Sequence, residues 1–551
     1  MSNAGNLRTS CDLCRYRKVR CDRVKPGCET CQFAQVACTF TERTPRKTIR
    51  EQLEETRAQL RQAEENQLRP TSLFDSRGFD AALAAFRWHL AYCVPYNLGD
   101  SLFNFDDLSR QLIQSIHLPN AIQTTKVIAP KWPSRPLAEQ AIEYFSCNKL
   151  YAIFPVVDIE ALTVLVDSDV LDQNKSSFNA ANRACIVAFV ALISRLRRHE
   201  PGFAEADPDA YIEAALSLLP QLTLEHTNIR ALEALLLLAL YIAPLGQPQT
   251  AEILLAMAVR VLYNLGGNIN ANVPRTPSQA RYHQHLRALF WLCYCIDKEM
   301  SLRKCQAPLI NDADCDLDLP ANYVPLSSDH QFFTYPLSSH ELLYPTDLRL
   351  ALLKSKIYLQ LHSHQSRTHS EARRFQLIRE LDQELNDLKS QFPITCQPEA
   401  FANGDIPDSL FHDLSLRGVS MHLEHYHCLA KVHGASISAS ITERASSLPS
   451  SSIELCYQAA RSTLLYIGRV RHLINPETFW IYAQFLLTAL LSLYWHLITK
   501  PAEAPSQDDI RIMENMLGIF VELQSVNNGR CFPPFIVMEA FIRNLIISIN
   551  R

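Results

Sequence analysis

Glycine is scarce, at 14 of 551 residues. So little glycine leaves few places for a phosphate-cradling loop, and no Gly-x-Gly-x-x-Gly, Walker-type or Gly-x-Ser-x-Gly pattern occurs. A long apolar run is missing as well. The longest, "ALLLLALYIAPL" from Ala234 to Leu245, is too short to cross a bilayer and contains a proline. The first ten residues, "MSNAGNLRTS", are polar and lack the apolar centre of a secretory signal. Together these absences argue against nucleotide-dependent or hydrolytic enzymes and against membrane or secreted proteins. In a chain that is not secreted, cysteines are expected to be reduced thiols.

At 551 residues the chain exceeds a single compact core. Hydrophobic residues make up 47% and charged residues 20%, in long apolar runs separated by charged patches. That mixture predicts a mostly α protein. A net charge of −4 hides an asymmetry: residues 1–50 hold eleven Lys and Arg against four Asp and Glu, or +7, and the remainder holds 42 against 53, or −11. A basic N-terminal arm on an acidic body implies that one end binds a polyanion.

Six of the 17 cysteines lie between Cys11 and Cys38, as Cys11, Cys14, Cys21 and then Cys28, Cys31, Cys38. Each cysteine of the second set follows its counterpart by 17 positions. Closely spaced thiols in a reducing compartment read as a metal site. Two zinc ions need eight tetrahedral ligand positions, which six thiolates supply if two of them bridge. The repeat makes Cys11 and Cys28 the natural bridges, Cys14 and Cys21 completing one site and Cys31 and Cys38 the other. A single-zinc ribbon on Cys11, Cys14, Cys28 and Cys31 would leave two cysteines spare and the repeat unexplained. The halves differ in charge: "RYRKVR" follows Cys14 and "QFAQVA" follows Cys31. Only the first half is suited to nucleic acid, with Arg17, Lys18 and Arg20 at the end of its expected short helix. The other eleven cysteines are expected to be mostly buried small apolar residues.

The spacing Cys-x2-Cys-x6-Cys-x6-Cys-x2-Cys-x6-Cys, with "RKVRCD" around the third cysteine, resembles the fungal binuclear zinc cluster (Zn2Cys6) transcription regulators. The resemblance implies two Zn2+ ions, double-stranded DNA as partner and a nuclear site of action. It implies that the first helix enters the major groove and that Lys18 reads a CGG triplet, as a cation can with guanine O6 and N7. It further implies Arg15, Arg20 and Arg23 as phosphate contacts, with Arg17 also gripping the duplex.

Residues 1–10 are expected to be a disordered arm, 11–38 the zinc module and 39–48 a linker. Residues 49–69 read as a short coiled-coil helix, with Ile49, Thr56 and Ala63 at a and Leu53, Leu60 and Gln67 at d. In the resembled family such a helix pairs two modules, so a homodimer joined through Leu53 and Leu60 is expected. Residues 71–551 read as a large all-α regulatory domain, in which "IRALEALLLLALYIAPLGQPQTAEILLAMAVRVLYNLGG" reads as a helical hairpin that turns at Pro244 to Pro248 and is capped by Gly266 and Gly267. "RALFWLCYCIDKEMSLRKCQAPLINDADCDLDLP", from Arg287 to Pro320, resembles the middle homology region of the same family, with Lys298 where arginine is usual and Gln306-Ala307-Pro308 in place of Gly-Arg-Pro. The body would respond to co-regulators or a small effector.

Other patterns do not reach a site. "DADCDLD" lacks the glycine and glutamate of a calcium loop, having Leu317 and Tyr323 there. "HLEHYHC", from His422 to Cys428, lacks the His-Glu-x-x-His spacing and reads as a helix with core and surface histidines. "GASISASITERASSLPSSS", from Gly434 to Ser452, reads as a flexible loop. The resulting expectation is a non-enzymatic, sequence-specific DNA-binding transcription factor of RNA polymerase II promoters. The resemblance to that family implies a metabolic or secondary-metabolite gene cluster as its target; a DNA-bound repressor or scaffold without activation function is the alternative.

Overall fold

The computed structural model describes residues 10–40, 86, 131–168, 179–198, 200–224, 227–245, 248–270, 276–323, 341–392, 416–443, 450–476, 478–499, 507–526 and 532–549. The expected linker beyond residue 40 and the coiled coil with Leu53 and Leu60 lie outside them. The chain divides into two units, Met1–Thr71 and Ser72–Arg551. The described residues hold helices and no strand, only one isolated bridge between Tyr323 and Leu342.

Among its described residues the first unit holds two short helices, α1 (Asp12–Tyr16) and α2 (Glu29–Phe33). Its buried centre is sulfur: Cys11, Cys14, Cys28 and Cys31, with Leu13, Cys21, Cys38 and Phe40 packed around them. So small a centre cannot hold a fold by apolar burial alone, and a metal held by these thiols would supply the cross-link.

Helices of the second unit among the described residues include α3 (Arg135–Cys147), α4 (Leu150–Ile153), α5 (Ile159–Asp167), α6 (Ala180–Leu196), α7 (Pro208–Leu216), α8 (Leu219–Leu224), α9 (Ile229–Ile242), α10 (Pro248–Asn264) and α11 (Pro277–Lys304). After them come α12 (Leu348–Ile357), α13 (Glu371–Ser390), α14 (Leu416–Glu443), α15 (Ser450–Arg469), α16 (Phe479–Thr499), α17 (Gln507–Val526) and α18 (Pro533–Ile549). Their starts follow ordinary capping chemistry. Ser134, Asp158, Asn179, Asp207, Asn228 and Thr276 each accept a backbone N–H of the first turn of the helix that follows. The expected hairpin of α9 and α10 turns in a short 3-10 segment, Ala243–Leu245. It closes at Gly266, in the left-handed region at φ +72°, with Gly267 N–H donating to the Leu262 carbonyl at 3.0 Å.

Three apolar clusters result. One joins α3, α6, α7, α9, α10 and the middle of α11. Another joins α12, α13 and part of α14 with Leu302, and the third joins α15 to α18 with Val419, Leu423 and Tyr426 of α14. Two long helices therefore splice the clusters: α11 spans the first two and α14 the last two.

Two sequence expectations change here. His422, His425 and His427 are all buried, so none of this helix's clustered histidines is at the surface. His422 Nδ1 lies 2.9 Å from the Tyr466 hydroxyl. Glu424, between them, accepts the buried Lys354 ammonium at 2.7 Å. The expected loop from Gly434 to Ser452 also changes at both ends: α14 continues to Glu443 and α15 begins at Ser450, while residues 444–449 lie outside the described residues. Low complexity is not helix-breaking when the residues are alanine, serine and isoleucine, all of which tolerate a helix.

The middle-homology pattern proves to be a fastening. Arg287 donates to the Gly267 carbonyl at 2.9 Å and to the Asp316 carbonyl at 2.7 Å. Asp297 accepts the N–H groups of Leu309 at 2.8 Å and Ile310 at 3.1 Å. Lys298, fully buried, donates to the Ile310 carbonyl, pairs with Asp312 at 2.9 Å and lies over the Tyr294 ring. These side chains bind the segment around residues 309–316 onto α11, and a lysine serves there without the guanidinium fork.

Candidate zinc centre and nucleic-acid interface

The 17-residue repeat in sequence is a repeat in backbone. Helix α2 begins 17 residues after α1. Arg15 N–H donates to the Cys11 carbonyl and Gln32 N–H to that of Cys28; Val19 donates to Cys14 and Val36 to Cys31. Lys18 and Gln35, again 17 apart, both adopt the left-handed conformation, at φ 55° and 53°. For residues other than glycine this costs about 1 kcal/mol or more. It ends each short helix and swings the following strand of chain back towards the sulfur centre.

The six sulfurs fall into two groups, Cys11, Cys14, Cys21, Cys28 and Cys11, Cys28, Cys31, Cys38, with all Sγ atoms of a group within 4.8 Å of one another. Cys11 and Cys28 belong to both. Sγ separations are 3.6 Å for Cys11–Cys28, 3.5 Å for Cys11–Cys31 and 3.6 Å for Cys14–Cys28. Tetrahedral ligation by thiolates at about 2.3 Å from zinc requires sulfurs about 3.8 Å apart, so the donor set fits two Zn2+ ions without rearrangement. The backbone N–H of Cys14 donates to Cys11 Sγ at 3.4 Å and brings that thiol down to about 6. Burial pushes Cys14 and Cys28 up and holds Cys31 at about 11. Loading zinc must therefore drive protons off, and acid opposes it.

Polar ties brace the module. Asp22 accepts the Glu29 N–H at 3.1 Å, linking the end of the first half to the start of α2. Asp12 accepts the Thr39 hydroxyl at 3.0 Å while its N–H donates to the Thr39 carbonyl at 2.9 Å, joining the module's two ends. Gln32 Nε2 donates to the Gly27 carbonyl at 2.6 Å, closing the turn that contains the cis Lys25–Pro26 bond. Asp22 was visible in "RKVRCD", but its partner, seven residues ahead, carried no signal of its own.

Arg15, Arg17, Lys18, Arg20 and Arg23 are all exposed, on or just beyond α1. The matching positions of the second half are Gln32, Ala34, Gln35 and Ala37 for the first four. Equivalent backbones thus carry a cationic face on one side and a neutral face on the other.

Residues 9–47 match the family described as Fungal Zn(2)-Cys(6) binuclear cluster domain, and residues 142–390 match Fungal specific transcription factor domain. The chain is 24% identical over 426 residues to an ABC-transporter-regulating transcription factor of Aspergillus oryzae, covering 73% of this chain and 45% of that protein. It is 26% identical over 353 residues to the Fusaridione A cluster transcription factor fsdR of Fusarium heterosporum, covering 61% of this chain and 62% of the relative. The matched region thus spans between two fifths and two thirds of these relatives' own length. Among solved structures it is similar to that of the K. lactis CBF3 core, at 13% identity and a TM-score of 0.41, over 82% of this chain and 91% of that one. With its zinc-fitted sulfur centre and cationic first half, the chain carries a fungal Zn2Cys6 binuclear cluster domain, a DNA-binding domain for two Zn2+ ions, together with a fungal-specific transcription factor domain, the two domains of a non-enzymatic transcription factor family.

Proposed function

We propose that the protein acts in the nucleus as a sequence-specific regulator of RNA polymerase II promoters and reads CGG-type half-sites. Cys11 and Cys28 would be shared by the two zinc ions, with Cys14 and Cys21 completing one site and Cys31 and Cys38 the other. Zinc would supply cross-linking and would offset most of the thiolate charge. Lys18 reads guanine edges in the major groove, and Arg15, Arg17, Arg20 and Arg23 hold the phosphates. The observation that carries this reading is the charge difference between two halves of equal backbone, which leaves a single cationic face. A homodimer joined through Leu53 and Leu60 would place two modules on paired half-sites. The names of the two relatives, one a transporter-regulating factor and one a gene-cluster factor, support control of a metabolic or secondary-metabolite gene cluster.

The test is titration of the zinc-loaded full chain against CGG-containing and scrambled duplexes at one fixed salt concentration, since affinity alone is dominated by salt. Preference for CGG is expected, and Lys18→Ala should reduce it by about ten- to a hundredfold. Arg15→Ala should weaken both duplexes alike. Equal binding of both duplexes by the unaltered protein would remove the base-reading role.

A further inference from the structure

Helix α11 ends at Cys305, whose φ of 52° places a cysteine in the left-handed position that usually falls to glycine. Its thiol does not face a bare helix end. Lys431 of α14 reaches across, its ammonium 3.4 Å from Cys305 Sγ and 2.9 Å from the Arg303 carbonyl. His362, in the π-helical turn Tyr358–His362 that follows α12, places Nε2 3.1 Å from the Lys431 carbonyl, close enough to act electrostatically on the thiol. The neighbouring cations of α11 are occupied elsewhere: Arg303 pairs with Glu299, and Lys304 with Glu252. Three elements far apart in sequence thus converge on one sulfur.

We propose that Cys305, held between the Lys431 ammonium and the His362 imidazole, is a peroxide-reactive modification site in the helical body. Reactive thiols sit in electropositive, partly exposed surroundings. Cys305 is partly exposed and is followed by the exposed Gln306 and Ala307, so a small oxidant can reach it. Burial by itself would raise this thiol, but Lys431 and then His362 outweigh it and bring it down to about 6. The contrast with other cysteines of the body is sharp. Cys185, Cys293 and Cys428 are fully buried, and burial raises their thiols.

In the reaction the thiolate sulfur attacks one oxygen of hydrogen peroxide. An S–O bond forms, the O–O bond breaks, and sulfur gives up two electrons. The departing hydroxide takes the sulfenic proton and leaves as water, so thiolate plus hydrogen peroxide yields sulfenate plus water. The sulfenate remains paired with Lys431, which alters the contact that joins α11 to α14. The proposal concerns the body alone and does not depend on how the zinc module reads DNA.

The test uses the zinc-loaded full chain, hydrogen peroxide at pH 6.5, a cyclic-diketone trap for sulfenic acid and peptide mass spectrometry, with the exposed Cys147 of α3 as internal comparison. At that pH a thiol of about 6 has on the order of 75 times the thiolate of an ordinary one, and its lower nucleophilicity returns about tenfold of this. Cys305 should therefore be trapped about fivefold faster than Cys147 or more. Lys431→Gln should remove the advantage and raise the pH midpoint of Cys305 alkylation, and Lys431→Arg should restore both. Should Lys431→Gln fail to fold, the wild-type rate ratio and alkylation midpoint decide by themselves. A Cys305 that reacts no faster than Cys147, or a folded Lys431→Gln protein with unchanged rate and midpoint, would overturn the proposal.

Discussion

Asp297 concentrates several structural duties in one buried carboxylate. It accepts two backbone N–H groups from the segment 309–310 and lies 3.6 Å from the Lys298 ammonium. Removing it strands those donors in a place water does not reach. Asp297→Ala should cost roughly 3 kcal/mol, because breaking a buried pair leaves an uncompensated group. Chemical denaturation checks this, and a loss below about 1 kcal/mol, the range of an exposed ion pair, would show that the fastening carries no weight. The sequence showed Asp297 and Lys298 as a pattern but not what they hold. The partners lie 12 and 13 residues ahead on a segment whose path only tertiary structure sets. Lys354 with Glu424, 70 residues apart, and Cys305 with Lys431, 126 apart, were hidden for the same reason. The zinc thiols were legible because ligand chemistry demands particular residues at short, fixed spacing. The left-handed backbone at Lys18 was not, since the usual signal for it is glycine.

Elements followed the apolar pattern wherever one face meets a core. The α9–α10 hairpin, its proline turn and its glycine stop were all readable in advance, whereas the length of α14 was not, because a run of serine and alanine carries no strong signal either way. Two glycines in helical surroundings show how position decides a substitution. A Cβ on Gly267 would stand 2.4 Å from Leu262 Cδ1 and 3.1 Å from Leu286 Cγ. Gly267→Ala should therefore destabilise the body by about 1–3 kcal/mol through overpacking at the hairpin's end. Gly518 lies mid-helix in α17, exposed, with nothing within 4 Å of an added Cβ. Gly518→Ala should stabilise by about 0.5–1 kcal/mol, as alanine loses less backbone freedom on entering a helix. Thermal unfolding of the two variants side by side should move the midpoint in opposite directions; a shift of the same sign for both would contradict this reading of the two sites.

At the scale of the whole molecule, two units rest on different physics. The body has extended apolar clusters of its own, while the N-terminal module has a centre of sulfur and little else. Chelation of zinc should therefore abolish duplex binding and leave the body's helical circular dichroism and its main unfolding transition in place. Loss of the whole helical signal on chelation would show that the body depends on the metal. The module's own chemistry turns on the two sulfur groups that share Cys11 and Cys28. The most direct measurement is the zinc content of the purified full chain by elemental analysis. Two zinc ions per chain are expected from six thiolates with two bridges; one zinc per chain would contradict the shared-ligand centre and return the module to a single four-cysteine site.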